Sequence, residues 1–491
     1  MSGYAVDDVF ALPREAFARA EGWLAGPEAA GLGHAVIEEE LAARGREIER
    51  LLWQAHLDLR AAREQRLAQV AGPDGIARTR AEPGHGRALS SVFGPVQVSR
   101  IAYRAPGVPN VHPADAVLDL PRDRYSHGLA KMTAAAVAAG SFGQACTQVA
   151  ARTGCTLGTR QAQQVTRHAA CDFGGFYARH RPPPGAAPGQ VLALSCDAKG
   201  IAVRPGQLRP QTVRKLRKSV PKQDGRLSRG EVRTHKRMAE AGSVSWISPA
   251  PRTPADILDP GRCLPGPRVT GKWLTASIAD DAAEVVAAVF AEADRRDPGR
   301  EHTWIALADG NKDQIRWIGA CAAQRGITVT IIVDFWHVTE YLWDAAWCFF
   351  PEASPDAGPW VRDRAAAILD GRAADVAAAL RARIAAAGLS TAKRKTAART
   401  ARYLDNKAPW LDYPTALANG WPISSGLIEG ACRHLVKDRM AITGARWTVG
   451  TAEAVLQLRA LHANGDFDRY WAYHLRREHQ RNHPGTYTLA A

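Results

Sequence analysis

The sequence predicts a multidomain α/β protein in which a mixed sheet is preceded and followed by helical segments. Three observations carry this. At 491 residues the chain exceeds what one compact core accommodates, so two to four domains are expected. Five short β-prone runs, "VLALSC", "GSVSWIS", "KWLTASI", "HTWIALA" and "ITVTIIV", all fall between residues 191 and 333. The last two alternate with helical patterns at about 281–295 and 312–325, which specifies strand-helix-strand crossovers and lays the final strands parallel to the first.

Composition narrows the class. With 46% apolar and 23% charged residues, the chain is globular rather than disordered. Lys and Arg number 64 against 49 Asp and Glu, a net charge of +15 that favours an anionic partner, nucleic acid foremost. A surplus of Arg also follows from GC-rich coding, so charge alone does not decide. The eight cysteines contain no CxxC pair, which speaks against a disulfide framework or a zinc ribbon and for a reducing cytoplasm. The N-terminus lacks a basic stretch followed by an apolar one, and "MTAAAVAAGSF" is roughly half the length a membrane span needs. A cytoplasmic protein with no membrane partner is expected.

Along the chain, residues 1–80 form an N-terminal helical region. Its "AVIEEELAARGREIERLLWQAHLDLRAAREQRL" is an amphipathic packing helix or oligomerisation arm. Residues 81–180 hold a small hairpin at "SSVFGPVQVSRIAYR" and then three helices. Ser141 is placed to cap the second of these and Gly154 to stop it. The second and third helices resemble a helix-turn-helix that reads DNA, although any short helical hairpin has the same pattern. "RHRPPPGAAPGQ", from Arg179 to Gln190, is a linker and the clearest boundary. Residues 188–342 form the first part of the sheet domain. Residues 343–422 are a helical insertion with the basic run "TAKRKTAARTARY". Residues 423–468 form the second part of the sheet domain, and 469–491 a tail.

Asp197, Asp309 and Asp334 each follow an apolar strand. The carboxyl ends of parallel strands face the ligand crevice, so chemistry is expected there, although one such Asp is often no more than a helix cap. Hard divalent cations take oxygen ligands, and a pair of them can steady the attacking and leaving oxygens of a phosphoryl displacement. "DGNKD" at Asp309 begins like a calcium loop, but Gln314 and Ala320 stand where that loop needs Gly and Glu. Glu429 borders a core stripe of Ile428, Ala431, Cys432, Leu435 and Val436. In isolation it reads as a first-turn acid favouring the helix dipole.

The segments "VFGPVQVSRIAYR", "SFGQACTQVAARTG", "LSCDAKGIAV", "HKRMAEAG", "WIALADGNKDQ", "IIVDFWHVTEYLW" and "SSGLIEGACRHLVKDRMAITGARW", in this order, resemble bacterial insertion-sequence transposases of the Kra type. That family is related to the Mutator-like and hAT transposases. The resemblance implies an RNase H-like core whose acidic DDE triad falls on Asp197, Asp309 and Glu429, holding two Mg²⁺ or Mn²⁺ ions. It places a D-x-x-H element on Asp334 to His337, and Asp334 and His337 are expected to steer the ligands rather than bind metal, since a fourth carboxylate adds like-charge repulsion. Lys437, Arg439 and Arg446 are candidates to grip phosphates, or are solvated surface. Trp447 is a candidate to stack on an unpaired base, or is core. The expected activity is metal-dependent cleavage and strand transfer at double-stranded terminal repeats and target DNA, by a homodimer or higher homo-oligomer. An RNase H-fold nuclease without strand transfer, and a catalytically silent transposase-derived DNA-binding protein, are the alternatives.

Overall fold

The computed structural model describes residues 9–179, 186–218, 236–262, 265–442 and 444–484, without the side chains of 215–218 and 260. The centre of the linker, much of the Lys/Arg-rich segment after Ala198, Cys263 and the last residues of the chain lie outside the described residues. The protein is mixed α/β and divides into two units, Met1–Ala178 with Asp466–Ala491, and Arg179–Gly465. The first break thus falls at the start of the Pro-rich linker.

In the first unit, α1 (Ala11–Ala25) and α2 (His34–Ala62) precede a hairpin of β1 (Arg80–Ser91) and β2 (Gly94–Arg104). The hairpin is longer than the sequence suggests, because β1 contains "EPGHG", which reads as a break. A register shift between Glu82 and His85 absorbs Pro83 and Gly84. Leu57 of α2 packs with Leu89, Val96, Val98 and Leu120. Three helices follow, α3 (His127–Ala139), α4 (Phe142–Thr153) and α5 (Thr159–Ala169). Ser141 and Gln144 form a reciprocal capping box at the start of α4, and Gly154, at φ 70°, ends it.

The expected tail from residue 469 is corrected by the structure. Phe467–Asn482 is a helix belonging to the first unit, and it buries Phe467, Tyr470, Trp471, His474 and Glu478. Polar residues within its buried stripe hid the helical period from a hydrophobicity reading. They are accommodated by pairing: the Tyr470 hydroxyl donates to the Ala169 carbonyl at 2.7 Å. Arg481 holds both Asp172 oxygens at 2.7 and 2.8 Å. His168 meets Glu478 at 3.0 Å.

The second unit is built on one five-stranded sheet. Its elements run β3 (Val191–Ala202), β4 (Lys236–Ser248), β5 (Arg268–Ser277), α6 (Ala282–Arg296), β6 (Trp304–Ala308), α7 (Lys312–Arg325) and β7 (Val329–Val333). The strand order is β5-β4-β3-β6-β7. The first three strands are antiparallel neighbours, and β6 and β7 run parallel to β3. Contrary to the expectation that the first strand stops at Asp197, β3 continues to Ala202, because β4 pairs with it as far as Ala202 opposite Lys236.

After β7 come α8 (Phe335–Phe349), α9 (Ala357–Leu369), α10 (Ala373–Ala386) and α11 (Thr391–Lys407), then α12 (Gly426–Ala431) and α13 (Val449–Asn464). Among the described residues no further strand forms in this part, as the sequence indicates. A π-helical turn, Cys432–Lys437, extends α12. Ile428, Ala431, Cys432, Leu435 and Val436 are all buried, as their spacing predicts. Among the described residues no helix is long and apolar enough to cross a membrane.

Burial disfavours the Glu478 carboxylate, but hydrogen bonds from His168, Arg481 and Asn482 outweigh it and hold its pKa well below the ordinary 4.5. A depressed acid stabilises the fold above the unfolded pKa, and that stability is lost as pH falls through the folded one. Glu478→Gln is therefore expected to cost about 1–3 kcal/mol at neutral pH. The gap between variant and wild type should close below the ordinary carboxylate range. Urea midpoints at neutral and strongly acidic pH test this; a gap unchanged by acid would refute the pairing argument.

Candidate active site

The carboxyl ends of β3, β6 and β7 carry the three strand-end aspartates. Ser195 pairs with Leu307, and the same register carried two residues further sets Asp197 level with Asp309. Ala308 pairs with Val333, so one residue further Asp309 is level with Asp334. Parallel register thus brings three acids from distant sequence into one row.

Their side chains then part. Asp197 and Asp309 line a common cavity of about 170 Å³ with Cys196, Glu240, Gln314 and Trp317. Asp309 does not cap the helix that follows it; Asn311 does, accepting from the backbone N–H groups of Asp313 and Gln314. Asp309 accepts from the Asn311 N–H at 2.7 Å through one oxygen. Asp197 accepts from the Ala198 N–H at 2.6 Å, likewise through Oδ1. The alternative of a simple helix cap therefore fails for Asp309.

That alternative holds for Asp334, which is fully buried. Its Oδ1 accepts from the N–H groups of Trp336 at 2.7 Å and His337 at 3.2 Å, capping α8. Its Oδ2 accepts from the Ser425 N–H. Both oxygens are thus engaged by backbone donors, which join the start of α8 to Ser425. The His337 ring turns away to Glu340, at 3.1 Å. Burial disfavours the charged imidazole, but that hydrogen bond and the charges of Asp334 and Asp309 outweigh it and raise the pKa.

Glu429 is reached through the same serine, whose hydroxyl donates to Glu429 Oε1 at 3.0 Å. One turn later, burial pushes the Cys432 thiol well up, and its contact with Asp197 adds to the shift. Glu429 itself is exposed and does not line the Asp197–Asp309 cavity. The donor atoms of Asp197, Asp309 and Glu429 do not all lie within 4.8 Å of one another.

Three residues escaped the sequence reading. Glu240 lies on β4 opposite Ala198, and burial, with Asp197's charge, pushes its carboxyl up to about 6. Its signal was a lone acid in the apolar run "MAEAGSVSW". Gln314 donates to the Cys196 carbonyl at 2.5 Å, which fixes its amide so that Oε1, buried and without a hydrogen-bond partner, is left at the cavity. Tyr403 of α11 stacks on Tyr341, and its buried hydroxyl has no hydrogen-bond partner. A Cβ added at Gly310 would lie 2.5 Å from that hydroxyl, so the ring covers the turn after Asp309. No sequence pattern announced either contact.

A hard cation fits the cavity on chemical grounds. Asp197, Asp309 and the orphaned Gln314 oxygen are oxygen donors of the kind such ions take. Among the residues expected to contact DNA, Lys437 and Arg446 are exposed, but Arg439 and Trp447 are not. Trp447 is 5% and Arg439 3% exposed, with the guanidinium 5.0 Å from the indole centroid. Trp447 donates to the Met440 carbonyl at 2.9 Å. Burial pushes Arg439 down to about 10. For Trp447 the core alternative holds, whereas Arg439 is neither solvated surface nor open to a phosphate and packs against the indole.

In the first unit, α5 buries Ala162, Val165, Thr166 and Ala169 and exposes Arg160, Gln161, Gln164 and Arg167. Comparison with known proteins adds nothing to this geometry: no protein-family model and no curated protein matches the chain.

Asp334→Asn replaces an acceptor by an amide whose NH₂ would face either the Ser425 N–H or the two donors of α8. A buried mismatch of this kind is expected to cost about 1–3 kcal/mol. A urea midpoint equal to wild type would show that the carboxylate does not hold this junction.

Proposed function

We propose that the chain is a DDE transposase of an insertion sequence, with an RNase H-like core in the second unit and a DNA-reading helix pair in the first. The observation that carries the reading is the row of Asp197, Asp309 and Asp334 at the ends of parallel strands, with Asp334 joined through Ser425 to Glu429. The strand order β5-β4-β3-β6-β7, with β4 alone running opposite to the other four strands, supports the core assignment. The net charge of +15 supplies the attraction for a polyphosphate.

In this reading Asp197 and Asp309 would hold a cation and Glu429 would complete a second site; Mg²⁺ or Mn²⁺, when bound, would supply Lewis-acid activation of a water and charge to stabilise the leaving oxygen. Asp334 sets where α12 begins and so where Glu429 stands. The substrates are terminal-repeat and target duplexes, cut and then joined on a homodimer or larger assembly. One observation favours a second reading, a transposase-derived DNA-binding protein without catalysis: Glu429 lies outside the cavity of the two aspartates.

Cleavage of repeat-containing duplex in Mg²⁺ separates the two. Asp197→Ala, Asp309→Ala and Glu429→Gln are each expected to lower cleavage at least a hundredfold while leaving repeat binding within a few-fold, about the loss seen when an essential catalytic group is removed. Near wild-type cleavage by any of them removes that residue from the site, and inactivity of the wild type itself sinks the catalytic reading.

The exposed face of α5 has its own test. Gln161→Ala and Gln164→Ala should reduce preference for repeat over random DNA by about 1–3 kcal/mol each, since glutamine amides read adenine edges. Arg160→Ala and Arg167→Ala should instead lower the salt slope by about one each. Equal affinity of the wild type for both DNAs would leave α5 no reading role.

A further inference from the structure

We propose that Asp119, His479 and His483 form a zinc-type metal site that fastens the C-terminal helix to the segment around Asp119 within the first unit. The three side chains each place a donor atom within 4.8 Å of the other two. His479 and His483 stand at i and i+4, the spacing that puts two imidazoles on one side of a helix end, and their ring centroids are 5.1 Å apart. Asp119 comes from a segment 360 residues earlier and meets His479 Nδ1 through Oδ1 at 2.9 Å. His483 Nε2 donates to the Leu120 carbonyl at 3.2 Å, which fixes that ring and leaves Nδ1 as its free nitrogen. Such backbone contacts orient metal-binding histidines and set their tautomer.

Two imidazoles and one carboxylate form a borderline donor set suited to Zn²⁺ rather than Mg²⁺. Zinc bonds of about 2.0–2.2 Å would draw the donors to roughly 3.4 Å from one another, a small closure from their present spacing. The site is reachable: His479 and Asp119 are 46% and 41% exposed. His479 also lines the edge of a cavity of about 650 Å³ with Val117 and Leu118. The fourth position is left to solvent. His127 stands beside the cluster, its Nε2 4.0 Å from Asp119 Oδ2, but that nitrogen donates to the Asp119 backbone carbonyl at 3.0 Å rather than joining the donors.

A neighbouring cluster shows what an unsuitable set looks like. Cys171, Asp172 and His474 are equally close, but Arg481 and His474 already occupy both Asp172 oxygens. Burial and Asp172 push the Cys171 thiol up to about 11, so it is not a thiolate at neutral pH. A site fastened by Asp119, His479 and His483 would tie the end of the chain to the hairpin-and-helix unit, and binding to the folded state alone would stabilise that unit.

The test uses the untagged full chain, stripped of metal and kept in excess Mg²⁺ so that oxygen-donor sites in the second unit are filled. Titration with Co²⁺, read by its visible ligand-field bands, should show one high-affinity site per chain, displaced by Zn²⁺. His479→Gln with His483→Gln should weaken uptake by well over tenfold, and Asp119→Asn by about tenfold or more, with far-UV circular dichroism unchanged. Cys171→Ala and Asp309→Ala should leave uptake as in the wild type. The proposal is overturned if the double histidine variant binds as the wild type does, if Cys171→Ala or Asp309→Ala removes the site, or if the wild type takes up neither metal. None of these outcomes depends on cleavage activity, so the site stands or falls apart from the transposase reading.

Discussion

The arrangement of the second unit depends on one carboxylate, Asp334. It ends β7, caps α8, and receives the backbone N–H of Ser425 from 91 residues further along the chain. Two more bonds reinforce this junction, from the Phe335 N–H to the Ile423 carbonyl and from the Tyr413 hydroxyl to the Val333 carbonyl. Three backbone N–H groups replace water around this buried carboxylate, which offsets much of the cost of burying it. Its contribution is positional: it fixes Ser425, and the Ser425 hydroxyl fixes Glu429.

Much of this was legible beforehand, for identifiable reasons. Helices α4 and α7 and strands β6 and β7 stand where they were expected because caps, stops and apolar runs are local signals. Ser141 and Gly154 act through neighbours three or four residues away. The row of Asp197, Asp309 and Asp334 was expected only as three strand ends; the register that levels them is a long-range fact that no window of sequence contains. Glu240 and Tyr403 were missed for the same reason, since each gains its meaning from an element elsewhere in the chain. The C-terminal helix was missed differently: its buried stripe includes His474 and Glu478, which a hydrophobic count scores as surface. Trp447 is core, as one of its two readings had it, but Arg439 was read from residue type, and only burial shows that its guanidinium lies over the indole inside the fold.

The cavity of the two aspartates shows a charge problem and its partial solution. Asp197, Asp309 and Glu240 line a space of about 170 Å³. Burial and Asp197's charge favour a proton on Glu240, whose pKa rises to about 6. A bound cation would serve the same electrostatic need, so proton and cation compete for one negative field. The orphaned Gln314 oxygen adds a donor without adding charge, which a site already crowded with carboxylates can accommodate.

The helices α8 to α11 leave the sheet at Asp334 and the chain returns at Ser425, so the whole insertion departs from and rejoins one spot. Closing a loop of this length costs conformational entropy that grows only slowly with its size, so an insertion of many helices is scarcely dearer than a short one, provided its ends are held. The bonds at Asp334, Phe335 and Tyr413 hold them. The insertion also reaches back at a second place, where α11 lays Tyr403 over the turn after Asp309 and stacks it on Tyr341 of α8. A body anchored at Ser425 and touching the site at Gly310 bears on both Glu429 and Asp309. The turn after Asp309 and the start of the helix that carries Glu429 are thus both in contact with one helical body.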